Sequence, residues 1–363
     1  MKILWIFNHP APYKVQLFNE IAKFVDLEVV FERTGEKSRP SEYYSKNVYN
    51  FKHYFFKHGY FGERNTFSGA LKKFVKKNYS RFDLIVMNGY STVSEMKTIK
   101  YLNKHHINFV FYINGGIYHK SFKLKENFKR KLLKEVKYCF SPSEQADEYL
   151  KHFIPEVAKI YHYTYSTLYQ KDVIETPLTK EEKAEIRKEY NLSTDKQLFV
   201  NASLFIERKN NFQLIEIFKE LPDKQLVLIG AGKEESKYRE LIEKENLKNV
   251  TILGFKEKDE LFKILKACDC FITLSKEDIY GHTINEALAN GLPIIASDRI
   301  IGAKHLIKQG VNGFVVPLES NEIIKAISFI KEDMSVEAIN TAKENTLEKS
   351  AENHLTIFKE LYK

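Results

Sequence analysis

Two carboxylates, Asp278 and Glu286, flank a glycine in the segment CDCFITLSKEDIYGHTINEALANGLPIIASD, residues 268–298. The apolar run 268–274 reads as a buried strand and 275–280 as a loop. Gly281 opens a short helix over 283–289, which Asn290 and Gly291 stop in the left-handed conformation. A second strand follows over 292–297. Strand, loop, helix and strand form one right-handed crossover of a parallel sheet, with the helix N-terminus at the carboxyl end of the first strand. The first amides of such a helix lack internal partners and attract an anion, which makes Gly281, His282, Thr283 and Ile284 candidate donors. A phosphate on those amides and a sugar hydroxyl on each carboxylate would describe a nucleotide sugar.

The elements that must position these groups extend through the whole chain. Its 363 residues exceed what one hydrophobic core usually serves, and 43% hydrophobic with 13% aromatic residues allow ample burial. Runs over 2–7, 27–32, 84–89, 108–115 and 137–143 read as strands, with helices between them over 15–24 and 93–105. This alternation predicts an α/β fold with a parallel sheet covered on both faces. The charged stretch 176–192 reads as a solvated helix leading into a second domain, and 347–363 has the length of a helix.

Composition narrows the class further. Three cysteines, Cys139, Cys268 and Cys270, are odd in number, and the last two are expected on one face of a strand. Reduced thiols in a cytosolic compartment are therefore expected, not a disulfide framework. The opening MKILWIF has strand length and ends at His9-Pro10, so neither a signal peptide nor a membrane span is read. No apolar run approaches the ~20 residues that cross a bilayer. The histidines form no spaced set of ligands, so no metal site is expected.

Charge is unequal along the chain. Residues 1–170 carry 28 Lys+Arg and 15 Asp+Glu, a net of +13, against −4 for the remainder. The excess concentrates in 70–81 and 120–138. In the latter, Phe128, Leu132 and Val136 recur every four residues as one apolar stripe flanked by lysines. The stripe suits either packing on a core or lying on an anionic leaflet, where each basic residue near the surface is worth about 1 kcal/mol. Nothing resembles a nucleic-acid motif, so nucleic acid is not expected as a partner.

The segment around the two carboxylates resembles the donor-site signature of the family 4 glycosyltransferases. Ser275, Tyr280-Gly281, Glu286-Ala287, Gly291 and Pro293 fall in the family register, and Asp278 stands where a glutamate is usual. The resemblance runs from about 198 to 318: LVLIGAGKEESKYRELI, with Gly230 and Gly232 at its turn, then VTILGF and GVNGFVVP, follow in order. It implies the GT-B fold, two Rossmann-like parallel-sheet domains facing across a cleft, with a C-terminal helix crossing back to the first domain. The corresponding boundaries are 1–170 for an acceptor-side domain, 171–345 for a nucleotide-sugar domain and 346–363 for the returning helix.

The resemblance also implies roles. Lys209 takes the position of the lysine that grips the donor diphosphate, but the accompanying arginine falls on Leu204, leaving Arg208 as the nearby replacement. Asp278 would hold sugar hydroxyls, Glu286 the ribose, and backbone near Phe255 the base. Acceptor-side candidates follow the strands of the first domain: His9, Asn114, Gly115, Gly116 and His119. The implied activity is retaining transfer from a nucleotide-sugar donor, UDP favoured, to a glycan or lipid-linked acceptor in surface-polysaccharide synthesis. No metal or cofactor is implied, and a cytoplasmic enzyme peripheral at the inner face of the membrane is expected. Loss of the arginine and the glutamate keeps open an inert GT-B subunit that binds a partner, and a sugar-nucleotide epimerase or phosphorylase on the same fold is a further alternative.

Overall fold

A computed structural model of the protein describes residues 1–35, 42–56, 69–116, 118, 122–278 and 280–362. The chain forms two units, Met1–Thr167 together with Leu347–Lys363, and Leu168–Thr346. Among the described residues no helix is long and apolar enough to cross a membrane.

The first unit is built on seven strands: β1 (Lys2–Phe7), β2 (Asp26–Phe31), β3 (Lys52–Phe55), β4 (Leu84–Asn88), β5 (Val110–Tyr112), β6 (Tyr138–Ser141) and β7 (Lys159–His162). They pair in parallel in the order β3-β2-β1-β4-β5-β6-β7. A parallel sheet needs cover on both faces, and the side-chain alternation of β1 shows how it is met. Leu4 and Ile6 face a core with Val30, Met87, Leu102, Leu132 and Val136. Trp5 faces the other way, onto Phe18 of the helix Pro12–Ala22 and onto His354 and Phe358 of the helix Leu347–Tyr362. The last helix thus completes the core of the first unit. Burial pushes the His354 imidazole down to about 3, and its Nδ1 lies 2.7 Å from the Ser350 carbonyl, so it acts as a neutral aromatic core residue.

The basic segment resolves between its two readings. Leu132 and Val136 are buried in the core, while Phe128 is 41% exposed with the Lys100 ammonium 5.1 Å from its ring centre. The apolar residues offered to solvent are instead Phe122 and Leu124, at 87% and 85%.

The second unit holds β8 (Gln197–Ala202), β9 (Lys224–Ile229), β10 (Val250–Gly254), β11 (Cys270–Thr273), β12 (Ile294–Ser297) and β13 (Gly313–Val316). Their parallel order, β10-β9-β8-β11-β12-β13, reverses direction between β8 and β11. Such a switch point opens a crevice at the carboxyl ends of the two strands. Both units are therefore Rossmann-like, and the helix expected over 176–192 is Lys180–Glu189. One expectation fails in detail. Cys268 caps the helix Lys258–Ala267 and does not belong to β11, so Cys268 and Cys270 enter different cores. All three thiols are buried and unpaired.

Candidate functional site

The switch point of the second sheet is formed by the loops leaving β8 and β11, and backbone contacts fix the first of them. Ser203 N–H donates to the Ile229 carbonyl and Phe205 N–H to that of Ala231. Gly230 permits this approach: a Cβ there would lie 1.9 Å from the Ser203 oxygen, at a φ of +144° that other residues rarely adopt. A buried polar chain holds the loop from below. Asn201 donates to the Ile272 carbonyl at 2.7 Å, Ser203 to Asn201 at 2.7 Å, and Asn211 to Ser203 at 3.1 Å.

The loop then makes a 3-10 turn, Glu207–Lys209, and Asn210 in the left-handed region re-aims the chain into the helix Asn211–Lys219. This geometry turns Lys209 inward, leaving its side chain 15% exposed, and its Nζ lies 2.5 Å from Asp278 Oδ2. Arg208 Nη1 lies 3.5 Å from the same oxygen and donates to the Glu277 carbonyl. Lys276 N–H donates to the Arg208 carbonyl at 2.9 Å, so the two loops are also joined through the backbone. Burial pushes the Asp278 carboxyl up, but the charge and hydrogen bond of Lys209, with Arg208 and the Tyr280 amide, more than offset it and hold it below the ordinary value. Asp278 is ionised at neutral pH.

Gly281 turns the chain at φ +74° into the helix His282–Ala289, and an added Cβ would meet Ile284 and Ile300 at 3.1 Å. Thr283 is half-buried at the helix start. Ile284 differs from its neighbours: its side chain belongs to the core and its amide donates to the Gly281 carbonyl at 2.8 Å. The amide is thus already occupied. Glu286, one turn on, is half-buried. Burial pushes its carboxyl up to about 7, with Lys258 pulling it down and Asp172 pushing it up; those two pair with each other at 3.1 Å.

Two exposed apolar side chains complete the carboxyl edge. Phe255, directly after β10, is 69% exposed, and Leu204, in the loop after β8, is 60% exposed. The site therefore presents an exposed leucine at the position where the family resemblance implies an arginine, and Arg208 supplies the second cation. Chemically, the arrangement offers two cations and a helix start to an anion, and two carboxyl groups to hydroxyls.

The acceptor-side candidates lie in the first unit, on loops at the carboxyl ends of its strands. His9, after β1, is half-buried, with Nδ1 3.3 Å from the Tyr44 hydroxyl. Asn114 and Gly115 follow β5, and the Asn114 Oδ1 is buried without a hydrogen-bond partner. Gly116 is close-packed, since a Cβ there would lie 3.0 Å from the Tyr149 ring. His119 lies outside the described residues.

The sequence reading missed a second polar cluster in this unit. Glu32, after β2, accepts from the Thr92 hydroxyl at 2.9 Å, and Glu95 caps the helix Val93–Lys104 reciprocally with Thr92. Both carboxyls are pushed up, by burial first, and Glu32 further by the charge of Glu95. The Thr-x-x-Glu spacing announced the cap. Glu32, 60 residues upstream of Thr92, carried no such signal.

Residues 182–350 match the family model described as Glycosyl transferases group 1. An uncharacterized glycosyltransferase of Methanocaldococcus jannaschii is 33% identical over 133 residues, which are 35% of this chain and 32% of that protein. A lipopolysaccharide core biosynthesis glycosyltransferase of Rhizobium meliloti is 29% identical over 152 residues, 41% and 44% of the two chains. The chain thus spans less than half the length of these curated relatives. Among solved structures, Anabaena HepE in complex with UDP and glucose is similar over 99% of both chains, with a TM-score of 0.67 at 18% identity. That likeness establishes the fold as GT-B.

Proposed function

We propose, from the match of residues 182–350 to the family model of the group 1 glycosyl transferases, that this protein is a retaining glycosyltransferase. It moves a sugar from a nucleotide-sugar donor, a UDP-sugar by preference, to a glycan or lipid-linked acceptor in surface-polysaccharide synthesis. The observation that carries the reading is the convergence of Lys209, Arg208 and Asp278 at the switch point, beside the start of the helix that bears Glu286.

In this reaction the bond between the anomeric carbon and the diphosphate oxygen breaks, and the electron pair leaves with the phosphate. Lys209 and Arg208 meet the growing negative charge, joined by the amides of His282 and Thr283. Asp278 accepts hydrogen bonds from hydroxyls of the transferred sugar, whose ring becomes oxocarbenium-like, and Glu286 takes the ribose hydroxyls. The base lies along the backbone by Phe255. The acceptor oxygen bonds the anomeric carbon on the face the diphosphate leaves, and its proton passes to the departing phosphate. No step requires a metal or a covalent enzyme intermediate. His9, Asn114, Gly115, Gly116 and His119 are the proposed acceptor-side contacts.

The exposed Phe122 and Leu124, with Lys123 and Lys125 beside them, support attachment to an anionic membrane surface at the inner leaflet.

A thermal-shift titration with UDP, GDP and their sugar conjugates, wild type beside Glu286→Ala, tests the donor assignment. A ligand at 100 times its Kd stabilises by about 2.7 kcal/mol. A shift with UDP ligands that the variant loses is expected. No shift with any nucleotide would favour an inert subunit, with the exposed Leu204 in place of arginine as its cause.

A further inference from the structure

A second cationic cavity opens at the opposite edge of the second sheet, where β8 and β11 begin. Its volume is about 360 Å³, within the range of about 300–1,000 Å³ typical of small-molecule sites. The helix Lys180–Glu189, the turn before β8, Asp269 before β11 and the stretch 330–335 all contribute to it. Five cationic side chains and three carboxylates line it.

The excess charge is built in at the inner end. The Asp269 carboxylate receives Lys183 Nζ at 3.0 Å on one oxygen, and on the other Arg187 Nη2 and the Leu198 amide, each at 2.8 Å. One carboxylate therefore answers two cations, whose side chains are only 13% and 7% exposed. Arg187 cannot turn away, because it also donates to the Ala267 carbonyl at 2.8 Å and the Lys196 carbonyl at 3.3 Å. A surplus positive charge held away from bulk water is costly unless an anion joins it.

At the mouth, Lys180 lies 3.7 Å from Glu332, both largely exposed, an ion pair too weakly held to neutralise either group. Lys331 adds a further ammonium, and Gln197 and the buried Ser335 hydroxyl supply neutral hydrogen-bonding groups. The strands framing the cavity carry Lys209 and Asp278 beyond their far ends, about 20 Å away for a strand the length of β8. The cavity is a separate place from the candidate donor site.

We propose that this cavity binds a small phosphorylated molecule, a phosphate monoester whose dianion is held by Lys183 within and by Lys180 and Lys331 at the mouth. The ester carbon skeleton distinguishes it from free phosphate, and the volume leaves room for it.

Isothermal titration of the full chain tests this with glucose 6-phosphate, glucose and inorganic phosphate as probes. The variants are Lys180→Glu/Lys331→Glu, which changes only the rim, and Lys209→Ala at the donor site. The sugar phosphate should bind with a Kd of about 1 mM or tighter, glucose should not bind, and the rim variant should weaken binding at least about tenfold. Lys209→Ala should leave it unchanged. Loss of binding in Lys209→Ala would place the anion at the donor site and overturn the proposal. So would indifference to the rim variant, absence of binding, or inorganic phosphate binding as tightly as the ester.

Discussion

Glu286→Gln isolates the electrostatics of the helix that would carry ribose recognition. The Glu286 carboxyl rises from an ordinary 4.5 to about 7 in the folded protein, chiefly through burial. The folded state therefore keeps a proton that the unfolded chain releases first. Stability falls as pH rises from about 4.5 to about 7, and the full cost is present above that range. At about 1.36 kcal/mol per unit, the shift corresponds to about 3 kcal/mol. Glutamine has nearly the same shape and cannot ionise, so the variant carries no such dependence. Wild type and variant should be close in stability at pH 5, and the variant should gain about 3 kcal/mol by pH 8. With a urea slope of roughly 2 kcal/mol per molar, the midpoints should diverge by roughly 1.5 M over that interval. Unfolding followed by circular dichroism reads this directly. Other raised carboxyls, Glu32 and Glu95, lie in the first unit and cancel in the difference. A stability difference constant from pH 5 to pH 8 would refute the reasoning, because it would mean Glu286 is as well solvated folded as unfolded.

Two further substitutions address the loop after β8. Lys209→Ala should abolish sugar transfer while circular dichroism and the melting transition show an intact fold; wild-type-like turnover would remove Lys209 from the diphosphate. Leu204→Arg should change stability by no more than about 0.5 kcal/mol, since the leucine is 60% exposed, and should raise donor affinity or leave it unchanged. A weakened donor Kd in that variant would show that the leucine itself contacts the nucleotide.

The parts of this fold legible in the sequence were those with a strong local signal. Buried parallel strands are nearly continuous apolar runs, so β1, β4 and β11 could be placed from their composition, whereas β9 was placed by its likeness to the family. The edge strands β3 and β7, KHYF and KIYH, escaped notice. Charged and aromatic residues make up all of the first and all but Ile160 of the second, and each pairs on one side only, so its conformation comes from the neighbour it joins. The glycine that opens the helix His282–Ala289 and the carboxylates around it were legible because a turn and a helix start restrict residue type. That Lys209 pairs with Asp278, 69 residues on, follows from the strand order and from no local pattern. The same holds for Lys14, buried with its Nζ 2.9 Å from the Tyr112 hydroxyl and pushed down to about 7 by burial. A lysine on an amphipathic helix ordinarily reads as surface, and only the ring of tyrosines assembled around it reveals the exception.

The helix Leu347–Tyr362 closes over Trp5, Tyr112 and Phe140, so the first unit is made from the two ends of the chain with the second unit between them. During synthesis the ribosome delivers Trp5 and its aromatic neighbours long before His354 and Phe358 exist to cover them. The second unit, contiguous in sequence, can complete its core first, although it is translated later. Until the last turn emerges, the nascent chain carries an uncovered aromatic face, the kind of surface that chaperones hold and that proteases find in a truncated product. A stop codon a few residues before 354 would therefore spare the second unit, with Lys209, Asp278 and Glu286, and condemn the first, with His9 and Asn114.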